Sequence, residues 1–86
     1  MTKVPERIRA TRRRAAGQRE TLRAIREGRA RVVYVALDAD DFIIEPVINL
    51  TARSGCELVK IESMGQLGRL CGIPVGAACA ALLNEA

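Results

Sequence analysis

The sequence predicts an α/β protein, a three-layer α/β/α sandwich around a small four-stranded mixed sheet. Three observations predict it. Helix-like and strand-like stretches alternate along the chain. The run Val32 to Leu37 in "RVVYVALDADD" is continuously apolar, the pattern of a strand covered on both faces. Hydrophobic content is 49%, yet the aromatics are only Tyr34 and Phe42. The core is therefore expected to be thin, built from Val, Ile, Leu and Ala, with elements in close approach. The 86 residues suit one domain spanning 1–86, with no repeats and no interdomain linker.

Val4, Ile8 and Thr11 recur at i, i+4, i+7, behind Pro5 and Glu6, and predict a first helix to about Arg12. "RRRAAG" then turns through a short edge strand. Gly17 opens a second helix and Gly28 closes it as the left-handed residue past its end. Inside it Arg19, Arg23 and Arg26 share one face at i, i+4, i+7, and Leu22 and Ile25 are expected to point well away. Asp38, Asp40 and Asp41 follow the first long strand; a polar loop leading to the next helix accounts for them better than a metal site. Pro46 at a first helical position and Gly55 past the end predict a third helix from Glu45-Pro46 to Gly55. Glu57 to Ile61 reads as a shorter strand. Ser63 with Gln66 three residues on forms a capping box for a fourth helix, whose stripe of Met64, Leu67 and Cys71 faces the core. "GIPVG" is a turn, and "GAACAALL" is a buried central strand, although its alanines would also suit a helix.

Charge is distributed unevenly. Residues 1–31 hold eleven of the fourteen basic residues and three of the ten acids, a net +8, whereas the other 55 residues carry −4. Ten of those eleven basic residues are Arg, whose forked guanidinium matches phosphates and guanine edges. Such a half points to an anionic partner, against the plainer reading of a solvated helix surface. Three cysteines, Cys56, Cys71 and Cys79, without a C-x-x-C pair and without any His, exclude a four-ligand zinc site and fit free thiols in a reducing cytoplasm. The charged start and the lack of a long apolar run predict no secretory signal and no membrane span. No metal and no cofactor are expected. No P-loop, dinucleotide fingerprint or nucleophile–base pair is present, so the chain is not expected to be an enzyme.

Two stretches, "GQRETLRAIREG" and "ESMGQLGRLCGIPVGAACAALL", resemble the kink-turn RNA-binding ribosomal protein family, L7Ae-like within the L30e-like superfamily, and most closely its small bacterial YbxF-like members. The likeness runs from about Val4 to Leu83. It implies the L30e-like sandwich, and a helix after Gly17 that inserts into the major groove at a sharp RNA bend. A regular A-form major groove is too narrow for side chains to read, and the bend opens it. There the family reads guanines of tandem sheared G·A pairs with Gly-x-Asn-Glu-x-x-Lys. Gly17, Glu20 and Arg23 match, with Arg for Lys, and Arg19 replaces the Asn. An Arg can still donate to guanine O6 and N7. Glu20, three residues from Arg23, also suits a simple helix-surface ion pair. In the family the loop equivalent to "CGIPVG" leans on a base flipped out of the bend, a role the resemblance gives to Ile73, Pro74 and Val75; a turn buried under the first helix is the competing reading.

The RNA-facing set is thus Gly17, Gln18, Arg19, Glu20, Arg23 and Arg26, with Arg13 and Arg14 on backbone phosphates and Ile73, Pro74 and Val75 on a base. Exposed amides near Gly17 add an anion site where the backbone can come close. The function expected is kink-turn RNA binding, ribosome-associated or as an RNA chaperone, by a monomer; the alternative is a protein-interaction adaptor of the same superfamily.

Overall fold

The computed structural model describes residues 13–84. The helix expected before Arg12 lies outside them. The elements run β1 (Arg14–Ala16), α1 (Gln18–Arg26), β2 (Ala30–Ala36), α2 (Asp41–Ser54), β3 (Glu57–Ile61), α3 (Met64–Cys71) and β4 (Cys79–Leu83). The four strands form one mixed sheet in the order β1-β4-β2-β3. β2 and β3 are parallel, with Val32 opposite Glu57 and Ala36 opposite Ile61. That pairing needs a crossover, and α2 supplies it. β4 runs antiparallel to both β1 and β2, with Ala16 opposite Ala80 and Val35 opposite Cys79.

The apolar run of β2 behaves as a doubly covered strand. Every residue from Val32 to Ala36 is buried, so both sheet faces are occupied. α1 and α2 pack on one another over the sheet, and α3 packs on β2, β3 and β4. "GAACAALL" is a strand, not a helix, and a central one. Its Ala80 and Ala81 are fully buried, one on each side, which lets both helical layers come close. The core is not wholly aliphatic: Tyr34 is its largest fully buried side chain. Leu37 falls just past β2 and is 57% exposed, so the strand ends one residue earlier than its apolar run.

The start of α2 departs from the expectation. The helix begins at Asp41, not at Glu45-Pro46, and Pro46 lies inside it. Proline is tolerated there at the loss of one hydrogen bond, the N–H that would have reached the Phe42 carbonyl. Buried Ile44 and Val47 hold the early turn against the core. Asp40 precedes the helix without a side-chain cap, and Asp38 caps a different one: its Oδ1 accepts the Met64 N–H at 2.8 Å. Ser63 Oγ accepts the Gln66 N–H at 3.1 Å. Two side chains thus satisfy amides at the start of α3. The acidic loop is structural at Asp38, and among the described residues no cluster of His, Cys, Asp or Glu could hold a metal.

Candidate nucleic-acid interface

α1 is amphipathic because Thr21, Ala24 and Ile25 form its buried side while Arg19, Glu20, Arg23 and Arg26 are exposed. Its far end is closed by a pair of backbone bonds, Gly28 N–H to Ile25 O at 3.1 Å and Arg29 N–H to Ala24 O at 2.9 Å, the Schellman pattern. Its near end lacks any side-chain cap. Gly17 sits there at φ 95°, a conformation open mainly to glycine. Its own N–H is not available to an anion, because it donates to the Cys79 carbonyl at 2.8 Å. The amides open to a ligand are therefore those of the first turn, from Gln18 on.

That Gly17–Cys79 bond also sets the geometry of the interface. It fastens the start of α1 to the start of β4, and the loop carrying Ile73, Pro74 and Val75 leads into β4. The two sequence stretches that were far apart in the chain meet at one end of the sheet. Gln18 ties the same end to α2, with its Nε2 donating to the Ile43 carbonyl at 2.9 Å.

The loop is held by backbone rather than by side chains. Gly72 N–H donates to Arg69 O and Ile73 N–H to Gly68 O, each at 3.1 Å, and Ala77 N–H donates to Met64 O at 3.0 Å. Gly68 packs so tightly beneath the loop that a Cβ there would overlap the Val75 carbonyl. A Cβ at Gly76 would press on Met64 at 3.2 Å. Ile73 is half-buried, while Pro74 is exposed and Val75 is 66% exposed. The tip of the loop is thus exposed, while the first helix, under which the competing reading buried this turn, lies outside the described residues. An apolar side chain held out on a clamped backbone is a feature that fold stability does not require.

The arginines differ in their surroundings. Arg23 Nη1 lies 3.4 Å from Glu20 Oε1, and its Nε lies 3.7 Å from Glu27 Oε2. Glu27 in turn accepts from Arg29 Nε at 2.9 Å. The ion-pair reading of Glu20 is thus realised, in an exposed network of the kind worth only about 0–1 kcal/mol per pair. Among the described residues the side chains of Arg19 and Arg26 make no ion pair or hydrogen bond. Arg26 instead borders a groove between α1 and α2 together with Leu22. Leu22 does not point well away from the arginine face: it is half-buried and lies beside Arg26 at the edge of that face.

Arg13 and Arg14 also part company. Successive residues of a strand point to opposite faces. Arg13, just before β1, is exposed, whereas Arg14 is half-buried and its Nε donates to the Cys71 carbonyl at 2.8 Å. Arg14 thereby buttresses the end of α3 at the root of the loop. The cysteines are free thiols: Cys71 and Cys79 are buried and Cys56 donates to the Ala30 carbonyl at 3.4 Å. Burial pushes the Cys71 thiol's pKa up, against a smaller lowering by the Arg14 guanidinium. Burial likewise raises Cys79, against a smaller lowering by the neighbouring Thr21 hydroxyl. Protonated thiols of this kind are poor nucleophiles. That hydroxyl is fully buried and finds no hydrogen bond of good geometry, so the thiol beside it is at most a weak partner.

With this geometry the comparisons with known proteins agree. A model of the Ribosomal protein L7Ae/L30e/S12e/Gadd45 family matches residues 1–86. The chain belongs to that family. An RNA-binding protein YbxF of Geobacillus stearothermophilus is 44% identical over 68 residues, which are 79% of this chain and 83% of the relative. The large ribosomal subunit protein eL8 of Halobacterium salinarum is 38% identical over 68 residues, 78% of this chain but 57% of the relative. Among solved structures, a Giardia lamblia 15.5kD RNA binding protein superposes with a TM-score of 0.85 at 25% identity, over 96% of this chain and 70% of its own. The fold is thus the L7Ae/L30e one. The family and these relatives are RNA-binding and ribosomal proteins rather than enzymes.

Sequence reasoning missed three parts of this end of the molecule: Gly68 and Gly76 as clamps of the loop, Arg14 as a buttress, and the face of α2 carrying Phe42 and Arg53. A signal for the last was present. Phe42, Pro46 and Leu50 recur at i, i+4, i+8, but starting the helix at Glu45 left Phe42 in a loop.

Proposed function

We propose that the chain is an RNA-binding protein that recognises a kink-turn, working as a monomer in the cytoplasm, ribosome-associated or as a ribosomal-protein-like RNA chaperone. The observation that carries the proposal is the joining of the α1 start to the root of the 73–76 loop through the Gly17–Cys79 hydrogen bond. A face rich in guanidinium groups and a projecting apolar tip then stand at one end of the sheet, as a bent RNA with an extruded base would require. Glu20 accepts from a guanine amino edge, Arg19 and Arg23 donate to guanine acceptors or phosphates, and the first-turn amides of α1 receive a phosphate. Val75 and Pro74 lie against the extruded base. Breaking the exposed Arg23–Glu20 pair to free both side chains costs little. The names borne by the relatives support the RNA part of this reading.

The deciding experiment is a titration with a kink-turn RNA and with the same RNA whose G·A pairs are changed to Watson–Crick pairs. The reading expects clear preference for the former. Equal affinity for both would favour a protein adaptor or nonspecific attraction. No helix among the described residues is long and apolar enough to cross a membrane.

A further inference from the structure

The groove between α1 and α2 has a volume of about 570 Å³ and is lined by Leu22, Arg26, Phe42, Glu45, Pro46, Asn49, Leu50 and Arg53. None of these was assigned a partner by the kink-turn reading except Arg26. The groove has direction. Gln18 of α1 is hydrogen-bonded to Ile43 of α2, so both helices start at the same end. Phe42 and Glu45 therefore lie near the α1 start, while Arg26 and Arg53 both line the groove toward its other end. Phe42 is 74% exposed, and the other aromatic residue, Tyr34, is buried in the core. A largely exposed aromatic on the first turn of a helix contributes little to folding.

We infer that this groove holds a short single-stranded segment of the same RNA, beyond its bent element: a base stacks on Phe42 and a phosphate farther along the strand lies between Arg26 and Arg53. The inference rests on the kink-turn reading for the choice of RNA. Three features select this occupant. Arg26 continues the row of Arg19 and Arg23 without a break, so a strand leaving the helix face enters the groove directly. Base stacking on an aromatic, combined with a cationic track for the backbone, is how single strands are held without sequence preference. The groove's charges are ordered for that polarity: Glu45 repels a phosphate at the Phe42 end and can accept from a base amino group or a ribose hydroxyl, and Asn49 offers both donor and acceptor midway.

The test uses the full chain, a kink-turn RNA, a plain duplex, and both RNAs carrying a single-stranded tail of about eight adenosines at the 5′ or the 3′ end. For the wild-type chain one of the two tails should tighten binding by about tenfold, on the scale of one stacked base with its phosphate. Phe42→Ala and Arg53→Ala should each abolish that gain and leave binding of the untailed kink-turn unchanged. Both side chains are exposed, and equal thermal unfolding midpoints confirm intact folding. No gain from either tail, or a gain that survives both substitutions, overturns the inference; a groove serving a protein partner would give that result. The kink-turn reading fails separately, by equal affinity for the two untailed RNAs, and the tail effect on the duplex still reports on the groove.

Discussion

The two halves of the interface are built in opposite ways. On α1 the backbone is ordinary and the side chains carry the chemistry. Arg19, Glu20, Arg23 and Arg26 stand in solvent, joined at most by loose ion pairs, while Thr21, Ala24 and Ile25 anchor the helix from behind. In the 73–76 loop the side chains are small and apolar and the backbone carries the design, fixed through Gly68, Gly72, Gly76 and Ala77. The difference separates function from stability. Substitutions on the exposed face of α1 should alter RNA binding and leave folding alone. Substitutions beneath the loop should alter both.

Gly68→Ala is the harshest test of that division and the largest effect expected. A methyl group meets the Val75 carbonyl, which belongs to backbone and cannot swing aside. Overpacking of this kind costs about 1–3 kcal/mol. Urea unfolding should show the loss, and kink-turn affinity should fall with it as the loop tip moves. Val75→Ala removes only the projecting side chain, so stability should stay within about 0.5 kcal/mol while kink-turn affinity drops. Equal stability for Gly68→Ala and wild type would mean that the loop is not clamped.

The neighbouring arginines sharpen the contrast within two residues. Arg14→Ala removes packing and a donor to the Cys71 carbonyl, and should cost about 1–2 kcal/mol of folding stability. Arg13→Ala should leave stability within about 0.5 kcal/mol. It should instead weaken kink-turn and plain duplex RNA by similar factors, and lower the log–log salt slope by about 0.7 to 0.9. Measured unfolding of both variants and titration at several salt concentrations read the two effects separately.

Smaller still is the expected effect of alkaline pH, which probes the buried side of the same elements. Cys71 and Cys79 have folded pKa values raised above 9.0, chiefly by burial. Well below pH 9 both states keep the thiols protonated and stability is unaffected. As pH approaches and passes 9 the unfolded chain loses thiol protons first, so stability declines until the folded thiols also ionise. Chemical unfolding should thus be level from pH 7 to about 8.5 and weaken above it. Replacing Cys71 and Cys79 with Ala should flatten the decline in that window and leave RNA affinity nearly unchanged.

Much of this was legible in the sequence, and the exceptions have physical causes. β2, β3, β4 and the Ser63 cap followed from apolar runs and local hydrogen-bonding chemistry, which depend on neighbouring residues. The exposed arginine face followed from helical periodicity. Pro46 misled because proline is most at home in a first turn, while buried Ile44 and Val47 supplied enough packing to extend the helix in front of it. Arg14 could not be told from Arg13 by composition, since only the alternation of β1 turns one inward. The tight fit of Gly68 beneath Val75 depends on a loop returning over α3, and no local pattern announces that. Leu22 was misplaced because a residue at the edge of a helix face can serve either side.

The central claim is that the start of α1 reads bases, and Glu20 tests it most directly. Glu20 and Glu27 are both exposed and both contact Arg23, at 3.4 Å and 3.7 Å. Replacing either with Ala removes one negative charge and exposed pairing only, to Arg23 for Glu20 and to Arg23 and Arg29 for Glu27. Pure electrostatics therefore predicts equal or tighter RNA binding for both variants. If Glu20 accepts from a guanine, Glu20→Ala should lose about 1–3 kcal/mol on kink-turn RNA while its affinity for plain duplex holds or improves. Glu27→Ala should show no such opposition. Isothermal titration of both variants against both RNAs decides the matter, and tightening of kink-turn binding by Glu20→Ala to the same degree as by Glu27→Ala would contradict base reading by this helix.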